Sequence, residues 1–465
     1  MEKVYHKDAQ FYAVLAALKA VTAGLQAVGR NATQYPGRQA TRLCPDFLGK
    51  IDKPKRLIAV TGTNGKTTVS NLIADVLESL GLDLVSNRFG SNVDSGIASA
   101  LIKASDLAGH MKTKYGVLEV DERMTTKIFP YVTPQILVVT NLFRDSYRRN
   151  AHTQFISSIL NQNIPRSSRL VLNGEDLISG RLAPDNDRVY FGIECRDENE
   201  TSPVSIIQDM RACPVCGSIL EYDYIRYNHI GRAHCPKCGL SSPELDYAVE
   251  KIDYENRRVF IRTPKGRTDV RLLGDNITDV YNTITAIAAL CEYGVGLKKI
   301  TAAFENMQLP QTRFQEVMVG QKRIVNIMAK GQNPVGTSRV LDYIRHQPGR
   351  KAVIMMPDDY FDRQKSSENT AWFFDTDYEL LNDPSIVSIV DGGPRFRDMH
   401  IRLLMAGIPE EKMRFCDSEE KIFPLIETDG VDTFFIVHDL VDAIDMQARD
   451  LMKKLEKKLQ EGEGK

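Results

Sequence analysis

Ala59-Val60-Thr61-Gly62-Thr63-Asn64-Gly65-Lys66-Thr67-Thr68 stands between a short apolar run, Leu57 to Val60, and an amphipathic run, Val69 to Leu80. That order predicts a strand, a glycine loop and a helix, the arrangement that cradles nucleotide phosphates. The backbone N–H groups of Gly62, Thr63, Asn64 and Gly65 and the positive end of the helix face the anion. Lys66 reaches the outer phosphates, and the hydroxyl of Thr67, with Thr68 beside it, is suited to Mg²⁺. The usual P-loop has a glycine five residues before the last loop glycine, and here that position is Val60. What remains is a narrower signature, Thr-Gly-Thr-Asn-Gly-Lys-Thr-Thr, and ATP or a close relative is the expected ligand.

Outward from the loop, apolar β-like runs alternate with helix-length segments from about Lys55 to Gly192. Leu57–Val60, Leu84–Ser86, Tyr115–Val120, Ile136–Thr140, Leu170–Asn173 and Arg188–Phe191 read as strands of a mostly parallel α/β sheet. The pattern breaks between Asp209 and Pro243, where Cys213-Pro-Val-Cys216 is followed after 18 residues by Cys235-Pro-Lys-Cys238. Such spacing suits tetrahedral zinc held by four thiolates, with Gly217 and Gly239 turning the two knuckles. Tyr222, Tyr224 and Tyr227 between them suggest a β-hairpin, hence a zinc ribbon inserted in the larger domain.

Residues Arg258–Arg262 and Thr268–Leu272 resume the sheet, and Ile284–Cys291 reads as a helix. Leu309-Pro-Gln-Thr-Arg313 looks like a boundary. Beyond it, Arg323–Met328, Ala352–Met356, Ile386–Val390, Met413–Phe415 and Thr433–Val437 are strand-like, with helices expected at Ser338–Arg345, Ser418–Ile426 and Leu440–Leu459. The expected division is a helical segment over 1–50, a nucleotide-binding domain over 51–308 carrying the ribbon at 209–243, a smaller α/β domain over 314–450, and a charged tail over 451–465.

Charge is balanced, with 60 basic against 61 acidic residues in a chain of 465. No bulk field draws the protein onto nucleic acid or an anionic membrane. The early run Phe11 to Val28 is interrupted by Lys19 and Gln26 and reads as a packing helix, neither a signal peptide nor a membrane span. Four of the eight cysteines form the knuckles, while Cys44, Cys195, Cys291 and Cys416 are scattered. A reducing, cytoplasmic compartment with one metal site is expected.

The narrow loop signature is that of Mur ligases and folylpolyglutamate synthases. Together with the four-cysteine insertion and the second α/β domain, it resembles the MurT family, the ATP-dependent subunits of lipid II isoglutaminyl synthases. The resemblance also covers Glu119-Val-Asp-Glu122, Thr140-Asn-Leu-Phe-Arg-Asp145, Leu172-Asn-Gly-Glu-Asp176, Asn333-Pro334 with Gly336, and the stretch from Gly29-Arg30 to Pro36-Gly37-Arg38. It implies a Mur ligase-type central domain and ATP-dependent amidation of the D-isoglutamate α-carboxylate of the lipid-linked stem peptide, through an acyl phosphate. Lys66 and Mg²⁺, the metal held by Thr67 and Glu119, would neutralise the phosphate charge that repels the attacking carboxylate. Asn282 falls where relatives contact adenine, although a residue at a helix N-terminus is an equal reading of that position.

Ammonia is nearly all protonated at neutral pH, so amidating enzymes usually make it by hydrolysing glutamine beside the synthetase site. No free cysteine here sits in a Gly-x-Cys-x-Gly nucleophile turn. The resemblance implies a separate class I glutaminase, GatD, in a heterodimer, with a C-terminal aspartate of this chain orienting the partner's histidine. Asp358, in Met356-Pro-Asp358-Asp-Tyr-Phe-Asp362, is the first candidate, followed by Asp362, Asp375 and Asp377. Membrane contact would be peripheral at most, through the lipid substrate at the inner face of the membrane. Two other readings stay open: a stand-alone Mur-type ligase that joins an amino acid, and a nucleic-acid-binding ATPase whose ribbon uses Tyr222, Tyr224, Arg226, Tyr227, His229 and Arg232.

Overall fold

The computed structural model describes residues 5–27, 29, 33–145, 152–196, 205–307, 314–329, 331–357, 370–439 and 442–463. Two compact units emerge. The first comprises Met1–Phe143, Thr153–Ser202 and Met210–Gln308, and the second Arg144–His152, Pro203–Asp209 and Leu309–Lys465.

In the first unit, β1 (Arg56–Thr61), β2 (Leu84–Ser86), β3 (Tyr115–Glu119), β4 (Ile136–Val139), β5 (Arg169–Asn173) and β6 (Arg188–Ile193) are parallel. Helices cover both faces, so the strands read as near-continuous apolar runs: Leu57, Ile58, Ala59 and Val60 are all buried. After the hairpin β7 (Glu221–Tyr227) and β8 (Ile230–His234), the chain returns as β9 (Tyr247–Asp253), parallel to β6. It then continues antiparallel through β10 (Arg258–Thr263) and β11 (Gly266–Arg271), giving the nine-stranded order β11-β10-β9-β6-β5-β4-β1-β3-β2. The early run Phe11 to Val28 lies largely in the helix Ala9–Ala27, which buries Phe11, Leu15 and Leu18 in the core with Phe47 and Ile97. The helix Tyr35–Leu43 packs closely on Asp94–Ala104 because Gly37 lacks a side chain: a Cβ there would lie 1.8 Å from the Ser95 carbonyl oxygen.

The second unit holds a six-stranded sheet, β12 (Phe314–Val319), β13 (Lys322–Met328), β14 (Lys351–Met356), β15 (Ile386–Gly392), β16 (Met413–Cys416) and β17 (Thr433–His438), in the order β12-β13-β17-β14-β15-β16. Only β12 runs antiparallel to its neighbour. Two excursions from the expected central domain belong here. Arg144 pairs with Asp209 and, at 3.4 Å, with Asp375, and the Ile206 N–H donates to Asp377 at 2.7 Å.

One sequence expectation is corrected and one is extended. The segment Ser418–Ile426 forms no helix but two short turns, Glu419–Lys421 and Phe423–Leu425, with Pro424 unable to supply the N–H that a continuous helix needs. The helix expected at Leu440–Leu459 forms as Asp442–Glu463 and runs on through residues assigned to the charged tail, with Leu451, Met452, Leu455 and Leu459 buried against the sheet. These apolar residues, spaced three and four apart, make a stripe that the lysines and glutamates around it obscure.

Candidate active site and zinc ribbon

The carboxyl ends of four parallel strands converge where open α/β sheets bind ligands. The loop Gly62–Gly65 follows β1, Glu119–Glu122 closes and follows β3, Thr140–Phe143 follows β4, and Glu175–Asp176 follows β5. Three of the motifs quoted above for the resemblance thus meet at one edge with the loop.

Gly65 caps the helix Lys66–Ser79 with φ +83°, a left-handed backbone that favours glycine. A Cβ at Gly65 would lie 2.4 Å from Asn282 Oδ1, so the amide of Asn282 rests directly on the loop. Asn282 is not the cap of its own helix, Ile277–Glu292. Asn276 fills that role, its side chain accepting from the Asp279 N–H. Asn282 therefore lies beside the loop and is not the N-terminal cap of its helix.

Lys66 is buried and folded back on the loop. Its ammonium donates to the carbonyls of Gly62 and Thr63 and pairs with Glu122 at 3.2 Å, the two side chains being 8% and 3% exposed. The motif Glu119-Val-Asp-Glu122 gives Glu122 no role of its own, and the fold supplies this one. Glu119, the residue of that motif expected to hold Mg²⁺, closes β3 with Oε1 accepting from Asn92 Nδ2 at 3.1 Å. Thr67 and Thr68 occupy the first helical turn, half-buried. The second half of the loop is clamped from β4: the Thr63 N–H donates to the Asn141 carbonyl at 2.8 Å, the Asn64 N–H to Asn141 Oδ1 at 2.9 Å, and the Phe143 N–H to Thr63 Oγ1 at 3.0 Å.

The four knuckle cysteines come together as the spacing predicts, all Sγ atoms lying within 4.8 Å of one another. Cys213 and Cys238 stand 3.5 Å apart and Cys216 and Cys235 3.4 Å. Tetrahedral zinc with bonds of about 2.3 Å sets sulfurs roughly 3.8 Å apart, so the donor set fits that ion. Both knuckles use the same bonds. The Cys213 N–H donates to the Ser218 carbonyl and the Cys235 N–H to the Leu240 carbonyl, each at 2.7 Å, while Gly217 and Gly239 donate back to the first cysteine of each pair. Hydrogen bonds from Ser218 pull the Cys216 thiol down to about 6, favouring the thiolate a metal requires.

β7 and β8 form the expected hairpin, but its aromatic and basic side chains turn inward. Tyr224, Arg226, Tyr227 and His229 are all buried and Tyr222 and Arg232 half-buried, so most of that set is turned away from a nucleic-acid strand. Glu175 receives Arg226 Nε at 2.9 Å, the Tyr224 hydroxyl at 2.8 Å and the Tyr281 hydroxyl at 2.9 Å. Burial, together with the Glu175 charge, pushes both phenols well up, so they stay donors to that carboxylate. His229 Nε2 lies 2.9 Å from Asp176 Oδ1. Burial pushes the Asp176 carboxyl up, yet His229, Ser179 and the Leu142 N–H together hold it below the ordinary carboxylate range.

In the second unit, Asp375 is engaged by Arg144, and Asp377 is 3% exposed with its carboxyl pushed up by burial. Asp358 and Asp362 lie outside the described residues. Among the described residues no helix is long and apolar enough to cross a membrane.

Comparison with known proteins agrees with this geometry. The Mur ligase middle domain matches residues 60–188, and the MurT ligase C-terminal domain matches 331–440. The subunit MurT of lipid II isoglutaminyl synthase (glutamine-hydrolyzing) from Staphylococcus aureus strain COL is 30% identical over 386 residues, 82% of this chain and 85% of that protein. Its counterpart from Streptococcus pneumoniae is 27% identical over 87% of this chain and 88% of its own. Among solved structures, a pseudomurein peptide ligase type C from Methanothermus fervidus superposes with a TM-score of 0.65 at 20% identity, covering 88% of this chain and 81% of that one. The MurF ligase of Thermotoga maritima, solved in complex with ADP, gives 0.59 at 13% identity, covering 92% and 84%. The solved structures establish the Mur ligase fold, and with a curated relative at 30% identity matched over 85% of its length, the chain belongs to the MurT family.

Proposed function

We propose that this chain is the synthetase subunit of a lipid II isoglutaminyl synthase, using ATP to activate the α-carboxylate of D-isoglutamate for amidation. The observation that carries the reading is the phosphate loop after β1, whose lysine is already drawn in by Gly62, Thr63 and Glu122, in a chain of the MurT family. A carboxylate oxygen of the acceptor attacks the γ-phosphorus of ATP and ADP leaves. Ammonia then adds to the acyl carbon, phosphate leaves and a proton is released, giving D-isoglutamine. Lys66 supplies the fixed positive charge that both the nucleotide and the developing transition state need. Thr67 and Glu119 would hold Mg²⁺, which when bound neutralises further phosphate charge. The four cysteines would hold zinc in a closed shell, with a structural role.

The acceptor has a seat in the first unit. A cleft of about 1020 Å³ opens between the helix Tyr35–Leu43, the start of Asp94–Ala104, and the turn that carries Glu122 on to Tyr131. Arg38, Arg42 and Lys127 line it with no ion-pair partner among the described residues, which suits a substrate bearing diphosphate and carboxylates. Ammonia comes from a class I glutaminase of the GatD type in a heterodimer, with Asp358 the first candidate for the aspartate lent to it and Asp362 the next. The internal bonds of Asp375 and Asp377 weigh against those two. The work is cytoplasmic, at the inner face of the membrane that carries the substrate.

Lys66→Ala tests the reading. Amidation with added ammonium salt should fall by about 10²–10³-fold, the usual loss when a charge-stabilising donor is removed, while assembly with the glutaminase is unchanged. A variant that amidates at the wild-type rate would sink the proposal.

A further inference from the structure

The ribbon and the phosphate loop are joined by continuous bonding within one unit. The hairpin turn is Asn228-His229, with Asn228 at φ +50°. Asn228 Oδ1 lies 2.8 Å from His229 Nδ1 and fixes the ring, whose side chain is fully buried. Its Nε2 meets Asp176, and the other oxygen of that carboxylate accepts the Leu142 N–H at 2.8 Å. The next residue, Phe143, packs its ring against His229 with centroids 5.0 Å apart, and its own N–H donates to Thr63. A second route runs in parallel. Arg226 and Tyr281 share Glu175, and Tyr281 precedes Asn282, which rests on Gly65.

Here the chain of bonds runs through Leu142 and Phe143 to the Thr63 hydroxyl, and through Tyr281 to the residue that abuts Gly65. Thr63 and Asn64 are bonded to Asn141 and Phe143, and the N–H of Leu142 between those two is held by Asp176, which is itself paired with His229.

We infer that the zinc ribbon is the back support of the phosphate loop, with His229 as a positioning residue whose bond to Asp176 sets nucleotide affinity from behind the site. The metal's work is then remote. By closing the two knuckles, zinc held by the four cysteines would fix the hairpin, whose tip holds the segment after β4 against the loop. This rests on the nucleotide-site reading above, and a purely structural ribbon would affect stability without a specific effect on nucleotide binding.

The test uses the full-length zinc-loaded protein and a non-hydrolysable ATP analogue, reading Kd by calorimetry, zinc content, and hydrogen exchange at the Thr63 and Asn64 amides. His229→Ala should keep its zinc, lose protection at those two amides, and bind the analogue about threefold to thirtyfold more weakly, the range for mutations along a coupling route. His229→Gln, which keeps a donor for Asp176, should recover part of the loss. Asn228→Gly supplies a milder variant: glycine keeps the left-handed turn while the group that fixes the ring is gone, and a smaller loss in the same direction is expected. Lys66→Ala serves as the reference. If it too binds at wild-type strength, the nucleotide-site reading fails. If it loses binding while a folded, zinc-bound His229→Ala, or Asn228→Gly should the alanine variant not fold, binds like wild type, the coupling is overturned.

Discussion

Gly65→Ala, paired with Asn282→Ala, asks whether the amide resting on the loop touches the nucleotide. At φ +83° the backbone of Gly65 is left-handed, and any L side chain there costs about 1–2 kcal/mol in stability. That term belongs to the backbone, so truncating Asn282 leaves it in place. The close approach is of another kind. The new Cβ would stand 2.4 Å from Asn282 Oδ1, the free end of a side chain, so the amide swings aside and the helix stays put. If that amide hydrogen-bonds bound nucleotide, its loss costs about 1 kcal/mol, or about fivefold in Kd. Gly65→Ala and Asn282→Ala should each weaken binding by about fivefold, and the double variant by about fivefold again, not about twenty-fivefold, because both remove one contact. Calorimetric titration of the four proteins with an ATP analogue measures this, and thermal melts follow the backbone term separately. Losses that multiply in the double variant would refute the argument, as would an Asn282→Ala protein that binds normally.

Three further outcomes are expected. Replacing Cys213 or Cys238 with serine should lower zinc content and melting temperature together, since the four thiolates close one shell; full zinc occupancy in either variant, or unchanged stability after chelation, would count against the site. Glu122→Ala leaves the Lys66 ammonium buried without its counter-charge, which costs about 3–5 kcal/mol in the absence of nucleotide. Bound nucleotide replaces the lost charge, so the ligand-induced rise in melting temperature should exceed that of wild type, and a variant as stable as wild type without ligand contradicts this. Asp358→Asn should abolish glutamine-dependent amidation in the presence of a glutaminase and spare activity with ammonium salt at alkaline pH, where more ammonia is unprotonated. Loss of both activities would place Asp358 at the ATP site, and retention of both would move the role to Asp362, Asp375 or Asp377.

The parallel strands were legible because burial on both faces makes them nearly unbroken apolar runs: Leu57–Val60 and Ala352–Met356 need no partner to be recognised. β12, an edge strand with the mixed sequence Phe314-Gln-Glu-Val-Met-Val319, carries no such run, and the arginines interspersed in the helix Phe396–Met405 mask its apolar face. In the site, Lys66 and the cysteines declare themselves through local spacing, whereas Glu122 matters only because folding brings it to a lysine 56 positions away. Glu175, Asp176 and His229 are of the same kind. A carboxylate pair in a turn and a histidine in a hairpin say nothing of each other until a sheet and a ribbon bring them within bonding distance.

The second unit is assembled from three stretches of chain, and this decides what can be cut away. A fragment beginning at Leu309 would hold the complete six-stranded sheet yet leave Asp375 without Arg144 and Asp377 without the Ile206 N–H. Asp377 would keep Ser338 and Arg339 on its carboxyl, so the fragment would lose part, not all, of what holds these two groups. The C-terminal domain seen as a sequence family, residues 331–440, therefore covers only part of the compact unit, which also takes in β12, β13, the two earlier stretches and the closing helix. Expression of that region alone calls for grafting Arg144–His152 and Pro203–Asp209 back onto it, or for keeping the chain whole.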